Sequence, residues 1–265
     1  MLRIYQRLWH VNWAEQWQYR ANLLMYLLYW LVSPIVYLAV WTTIARAQGT
    51  VNGLTAGDFA AYYLTLLIVD NLTSEITIYL LAYKIQDGTL AGDLLKPIHP
   101  ILTGTLVNNL AFKALTLLAL IPVWLVLCLL VQPDFSGVTL QTLLLAAPAI
   151  VLGFAVQFLL GASLTCLAFW TTRVYSLGEL YYALIILFSG QFAPLTVMPP
   201  LVQSIAQYLP FQLFKYFPIE LILGRLSPEA IARNFALEVF WLVVIGLLFR
   251  WVWRNGVVRF SAVGA

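Results

Sequence analysis

Long apolar stretches separated by short polar segments dominate this chain. A helix needs about 20 mainly apolar residues to cross the hydrocarbon core of a bilayer, and six stretches meet that requirement. They cover residues 22–45, 57–83, 103–131, 140–169, 176–196 and 231–253. Some contain a proline, which membrane helices tolerate because neighbouring groups satisfy the freed carbonyl. The pattern predicts six membrane-spanning helices, with both termini on the same side.

The first 20 residues follow a different pattern. Trp9, Trp13 and Trp17 recur at helical spacing beside Arg7 and Arg20, which is typical of a helix that lies in the membrane interface. The stretch lacks the continuous apolar core and small-residue cleavage site of a secretory signal. We therefore predict an interfacial helix over residues 1–20 that stays on the mature protein.

Composition agrees with a lipid environment. The chain is 62% hydrophobic and 9% charged, whereas soluble domains are about 45–50% apolar and about 25% charged. The basic residues are scattered and form no groove or run, so nucleic-acid binding has no support. Cys128 and Cys166 lie in apolar runs without metal-type spacing, and we interpret them as small buried hydrophobic residues.

The distribution of Lys and Arg predicts the orientation. Cytoplasmic loops of membrane proteins carry an excess of these residues. With the N-terminus inside, most basic residues lie on the cytoplasmic side: Arg3, Arg7, Arg20, Lys84, Lys96, Arg173, Arg250, Arg254 and Arg259. The outward set is smaller: Arg46, Lys215, Arg225 and Arg233. Both termini are therefore expected in the cytoplasm.

The cytoplasmic loop 84–100 has a turn signal at Asp87-Gly88 and a stop at Pro97. A short helix fits between them, with Leu90 and Leu94 on one face. Asp93 and Lys96 are expected to point to water. Such a helix either presents an apolar ridge to a cytosolic partner or merely caps two spans at the membrane surface.

The outer segment 197–230 contains two apolar pieces that are too short or too interrupted to cross the membrane. We predict short re-entrant helices there, before the last span. With no linker or soluble domain apparent, residues 1–265 are expected to form a single transmembrane domain.

One face of the second predicted span is polar. Asp70, Asn71, Ser74 and Glu75 fall within half of the helix circumference. Ionisable groups at this depth are unfavourable unless they are partnered or hydrated. The face is therefore expected to point into the bundle, towards a subunit interface, or into a water-lined substrate path, and these roles stay open.

Three further charged residues have ordinary explanations. Lys113 and Glu179 lie near the predicted cytoplasmic ends of their spans, where side chains snorkel to the surface. Glu238 lies in the outer half of the last span, and we expect it to pair with Arg233 or Lys215.

Catalytic motifs are missing from the sequence. The chain has no Gly-x-x-x-x-Gly-Lys-Ser/Thr phosphate loop, no His-Glu-x-x-His and no Gly-x-Ser-x-Gly. Asp87-Gly88 and Asp93 do not match the carboxylate pattern of membrane phospho-alcohol transferases. We predict no catalytic, cofactor-binding or metal site on this chain.

Three segments carry a resemblance to a known family. They are Gly88-Thr-Leu-Ala-Gly-Asp-Leu-Leu-Lys-Pro-Ile-His-Pro100, the stretch Pro210 to Leu226, and the ending Trp253 to Gly264. The layout resembles permeases of the ABC-2 class, in the bacterial branch in which two permeases often share one ATPase. The resemblance covers nearly the whole chain and implies an all-α integral membrane fold like that of type V exporters.

The resemblance also implies the architecture and partners of an exporter. It implies six spans, an N-terminal interfacial helix, re-entrant outer helices, and a coupling helix that docks on a separate ABC ATPase. By position, the docking residues would be Asp87, Gly88, Leu90, Asp93, Leu94, Lys96 and Pro97. The other partners would be a second permease, identical or sister, and membrane lipid.

The implied location and chemistry follow from the same resemblance. The permease would reside in the bacterial inner membrane, and ATP and Mg²⁺ would bind the partner ATPase. The apolar and aromatic content favours an amphipathic or hydrophobic substrate such as a lipid, glycolipid, drug or peptide. An ion-coupled secondary transporter that uses Asp70 and Glu75 is the alternative, although no internal repeat supports it.

Overall fold

A computed structural model describes residues 2–18 and 20–260, and these residues form α-helices with short 3₁₀ and π turns. The predicted all-α class is confirmed. The helices are α1 (Leu2–Gln18), α2 (Arg20–Gln48), α3 (Ala56–Thr73), α4 (Thr77–Gln86), α5 (Leu90–Leu94), α6 (Val107–Val131), α7 (Leu140–Thr165), α8 (Val174–Phe188), α9 (Pro200–Ala206), α10 (Tyr216–Ile222) and α11 (Pro228–Arg259). The end of the third resemblance segment, residues 261–264, lies outside the described residues.

Five helical stretches in the described part of the chain are long and apolar enough to cross a membrane. They are Met25–Gln48, Ala56–Gln86, Val107–Val131, Leu140–Phe169 and Pro228–Arg259. Each overlaps one predicted span. The predicted span 176–196 overlaps α8, whose 15 residues extend about 22 Å. The sixth crossing therefore stays a prediction.

Local sequence explains where several helices begin. Thr55 and Asp58 form a capping box at the start of α3, and Thr139 and Thr142 exchange equivalent bonds at the start of α7. Ser227 caps α11, whose first residue is a proline. These bonds satisfy amide groups that the first turn leaves unpaired.

Contacts between distant segments define two ends of the bundle. At the loop end, where residues 84–100 lie, the Gln86 side chain donates to the Thr172 carbonyl at 3.2 Å. At the far end, where segment 197–230 lies, the Asn52 side chain donates to the Thr196 carbonyl at 2.5 Å. Residues 172 and 196 therefore lie at opposite ends of the bundle.

Segment 197–230 packs tightly on the far end. Phe214 and Phe217 are fully buried, and Ile219 shares a buried cluster with residues of α3. Just before the segment, the Gly190 carbonyl accepts a hydrogen bond from the Tyr62 hydroxyl of α3 at 2.8 Å. Arg225 forms an ion pair with Asp58 at 2.6 Å. Helix α3 and this segment therefore form one packed unit.

Helices α7 and α11 pack against each other and against segments at both ends of the bundle. The Gly153 backbone on α7 is so close to the Leu213 carbonyl that an added Cβ would lie 2.7 Å from its oxygen. On α11, a Cβ at Gly256 would overlap the Phe169 ring. These glycines allow α7 and α11 to support both ends of the bundle.

Candidate functional site

Helix α5 forms the centre of the loop that sequence analysis assigned to a partner. Leu90, its first residue, is fully buried in a cluster with Leu81 and Ile85 of α4. Partly buried aromatic residues, including Phe169 and Trp253, pack against this cluster. His99, at the end of the loop, packs on Trp253 with ring centroids 4.5 Å apart. The loop is therefore anchored to three elements of the loop end.

The exposed apolar residue of this loop is Leu95. Its side chain is 88% exposed, whereas Leu94 is half-buried and Leu90 has no exposed surface. Leu90 therefore does not contribute to an exposed apolar ridge, because this single-turn helix directs it towards α4. Asp87, Lys96 and Leu95 remain at the surface of the loop.

Asp93 binds two lysines of the loop. The prediction that it points to water is therefore wrong. Its two carboxylate oxygens accept hydrogen bonds from Lys84 at 2.7 Å and from Lys96 at 2.6 Å. Burial alone would raise the pKa of Asp93, but the two ammonium groups hold that pKa below its usual value. The carboxylate therefore stays charged and fixes the geometry around Leu95.

The second span is interrupted, although the sequence predicts one continuous helix over 57–83. Helix α3 ends at Thr73 and α4 begins at Thr77. Lys113 on α6 reaches this interruption, where its ammonium group donates to the Asn71 carbonyl at 2.8 Å and to the Ser74 carbonyl. A cation at the carbonyl end of a helix is favourable. Lys113 is buried, so the snorkelling interpretation is wrong for it.

Glu75 caps the start of α4, on the other side of the interruption. One carboxylate oxygen accepts a hydrogen bond from the Thr77 amide, at the start of α4, at 2.5 Å. The side chain is only 2% exposed and lies directly against the Gly161 backbone of α7. Each half-helix therefore has a side-chain cap, with the Lys113 amino group at the end of α3 and the Glu75 carboxyl group at the start of α4.

The other polar residues of this span also point into the bundle of the same chain. Asp70 forms an ion pair at 2.7 Å with Lys215, which in turn donates to the Gln191 side chain at 2.6 Å. Asn71 donates to the Thr116 hydroxyl at 2.7 Å. The four predicted residues thus lie together, where they connect α3, α6, α7 and the start of α10.

Glu238 differs from its prediction. Lys215 is bound to Asp70, and among the described residues neither oxygen of the fully buried Glu238 carboxyl has a hydrogen-bond partner. The predicted pairing with Arg233 or Lys215 is therefore wrong.

A strip of tyrosines lies on the surface of α4 and α8 and was not predicted from the sequence. Tyr79 stacks on Tyr175 and on Tyr182, with ring centroids 6.2 and 6.3 Å apart. The Tyr79 hydroxyl donates to the exposed Glu179 carboxylate at 3.4 Å. We call Tyr79, Tyr175, Tyr182 and Glu179 the tyrosine strip. The spacing of Tyr175, Glu179 and Tyr182 places them on one helix face and was visible in the sequence.

Comparison with known proteins identifies the family. A model of the family described as "ABC-2 family transporter protein" matches residues 31–264. A search of curated proteins found no significant match. The family match covers most of the chain, including the loop, the interrupted span and the tyrosine strip. The chain is therefore a multi-pass membrane protein that belongs to the ABC-2 family of transporter proteins.

Proposed function

We propose that this chain is the membrane permease subunit of an ATP-driven exporter and that a separate ABC ATPase docks on the loop around α5. Family membership supports a transport role. ATP and Mg²⁺ would bind the ATPase, and this chain would form the path for the substrate. A second permease, identical or sister, would complete the path.

The observation that carries this proposal is the exposure of Leu95 on a fixed loop. The 88% exposed Leu95 lies at the tip of a loop that two ion pairs and a buried leucine hold in place, so its apolar side chain is available for contact with a partner. Apolar side chains on a preorganised surface are typical anchors for a docking protein. Asp87, Gly88, Leu94, Lys96 and Pro97 would surround this contact, and Leu90 and Asp93 would support it from behind.

The interrupted span supports transmission of movement from this loop. Helix α4 leads directly into the loop, whereas α3 is bound to the far end through Tyr62, Asp58 and Asp70. The interruption between them allows a change of angle without rupture of a continuous helix. Force applied at the loop would thus move α4 relative to α3, which is fixed to the far end.

The proposed topology has six crossings and cytoplasmic termini. The positions of residues 172 and 196 at opposite ends support a crossing by α8 with the non-helical residues after it. Asn108, close to the loop in the chain, donates to Asn12 of α1 at 3.1 Å, which supports an N-terminal helix at the loop end. The loop end would be cytoplasmic, in accord with its Lys and Arg residues.

The secondary-transporter alternative has less support. A coupling-ion site needs carboxylates that are free to take up an ion or a proton. Asp70 is already bound to Lys215, and Lys113 occupies the carbonyl end of α3, where some transporters bind a cation. We therefore assign these residues to the support of the interrupted span.

Purification of the tagged chain in mild detergent, followed by mass spectrometry, tests the proposal. The expected result is co-purification of an ABC ATPase and of a second permease or a second copy of this chain. Gradient-driven, ATP-independent transport by vesicles that contain this chain alone would contradict it.

A further inference from the structure

The tyrosine strip has a geometry that suits a ligand. The Tyr79 ring is nearly parallel to those of Tyr175 and Tyr182, at interplanar angles of 22° and 9°. Glu179 lies four residues after Tyr175 and three before Tyr182, so α8 presents all three side chains on one face. The result is a patch of aromatic surface with a carboxylate at its centre.

Lipid does not suit this patch. Tyr79 is 48% exposed, Tyr175 is 36% exposed, and Glu179 is exposed as well. Glu179 lies five residues from the start of α8, about 7.5 Å along the helix axis. A carboxylate that faces the hydrocarbon core of a bilayer is unfavourable. The patch therefore fits an aqueous path or the inner surface of an assembly.

Glu179 contacts the neighbouring helix α4. Its side chain is directed sideways towards α4, where it accepts the hydrogen bond from Tyr79. In the described part of the chain no Lys, Arg or His lies within ion-pair distance of it, and Lys84, the basic residue nearest along α4, is bound to Asp93. The carboxylate thus lacks a positive partner within the described protein.

We propose that the tyrosine strip is a binding site for an organic cation with an apolar body. Aromatic faces attract quaternary ammonium and related cations, and an adjacent carboxylate adds direct charge attraction. Exposed Ile186 lies on the same face of α8, one turn beyond Tyr182, and offers apolar surface to the rest of the ligand. As an assignment of substrate class, the inference rests on the proposed permease function.

The test uses two probes of matched size and opposite charge. Equilibrium dialysis of the purified chain in an uncharged maltoside detergent would compare binding of the tetraphenylphosphonium cation and the tetraphenylborate anion. We expect saturable binding of the phosphonium alone. Glu179→Gln and Tyr175→Leu should each weaken it by about tenfold, in line with a cation–aromatic or charge contact of about 1–2 kcal/mol.

Conservative and remote variants complete the design. Tyr175→Phe retains the aromatic face and should keep most of the affinity. Glu229→Gln and Tyr208→Leu change an acid and an exposed tyrosine outside the strip and should bind like the parent. Equal binding of both probes, or unchanged phosphonium affinity in Glu179→Gln, would overturn the proposal.

The probe-binding test does not depend on the ATPase. A chain that binds the cation but co-purifies with no ATPase would keep the site and contradict the permease proposal. A chain that co-purifies with an ATPase but binds both probes equally would support the permease proposal and contradict the cation site.

Discussion

The Lys113 ammonium group lies 2.8 Å from the main-chain oxygen of Asn71, at the point where the second span stops being helical. This contact brings a charge from α6 to the carbonyl end of α3, inside the bundle. Because helix ends leave carbonyl groups unpaired, the interruption is stable only where such a partner exists.

Replacement of Lys113 by Met should destabilise the protein. Two buried carbonyls lose their donor, at about 1–3 kcal/mol for each unpaired group. Thermal unfolding in detergent, followed by tryptophan fluorescence, measures the change. Lys215→Met is the matched control for the angle of α4, because Lys215 is equally buried and its loss also destabilises the protein, but it binds side chains of Asp70 and Gln191 and not the end of α3. Spin labels at Tyr83 on α4 and Leu129 on α6 should report a changed angle between these helices in Lys113→Met and not in the control.

The Gly161 position depends on the absence of a side chain. A Cβ there would overlap the Glu75 carboxylate, so Gly161→Ala should destabilise the protein by about 1–3 kcal/mol through overpacking. Adding Glu75→Ala should remove the overlap and recover part of the loss. Gly92→Ala, in open space, should unfold like the parent. Equal unfolding temperatures for Gly161→Ala and Gly92→Ala would show that the contact is absent.

The stability of the loop should depend on pH through Asp93. The pKa of Asp93 is lowered in the folded protein, so its contribution is complete above the ordinary pKa of 3.8 and is lost as the pH falls through the lower folded value. Asp93→Asn should increase hydrogen exchange in the loop at neutral pH, and its difference from the parent should shrink in acid. Asp87→Asn, at an exposed position, serves as the control.

The proposed six crossings predict opposite accessibility for two exposed threonines. In a chain without Cys128 and Cys166, Thr50→Cys at the far end should react with an impermeant maleimide added to intact cells. Thr89→Cys at the loop end should react only after the membrane is opened. Reaction of Thr89→Cys in intact cells would reverse the orientation.

Periodicity and length predict the long helices well, because burial in lipid requires continuous apolar stretches. The interruption after Thr73 was not predictable in this way. No proline or glycine marks it, and it depends on Lys113, which lies about 40 positions away in the chain and is brought close only by packing.

The sequence predicted where the loop lies but only some of the contacts that its residues make. The turn at Asp87-Gly88 and the stop at Pro97 located the loop, but helical spacing could not tell which leucine faces α4, because α5 is a single turn. Tyr175, Glu179 and Tyr182 had the correct spacing, yet their partner Tyr79 is on another helix. Contacts between helices are set by tertiary packing, which a single-sequence pattern does not contain.

The central claim is that an ATPase docks at the loop end through Leu95. The most direct measurement is co-purification of the ATPase with Leu95→Asp, compared with Leu201→Asp, which adds the same charge at a 70% exposed leucine on the far end. The account predicts that Leu95→Asp loses the ATPase while remaining folded, and that Leu201→Asp retains it. Retention of the ATPase by Leu95→Asp, or its loss in both variants, would contradict the account.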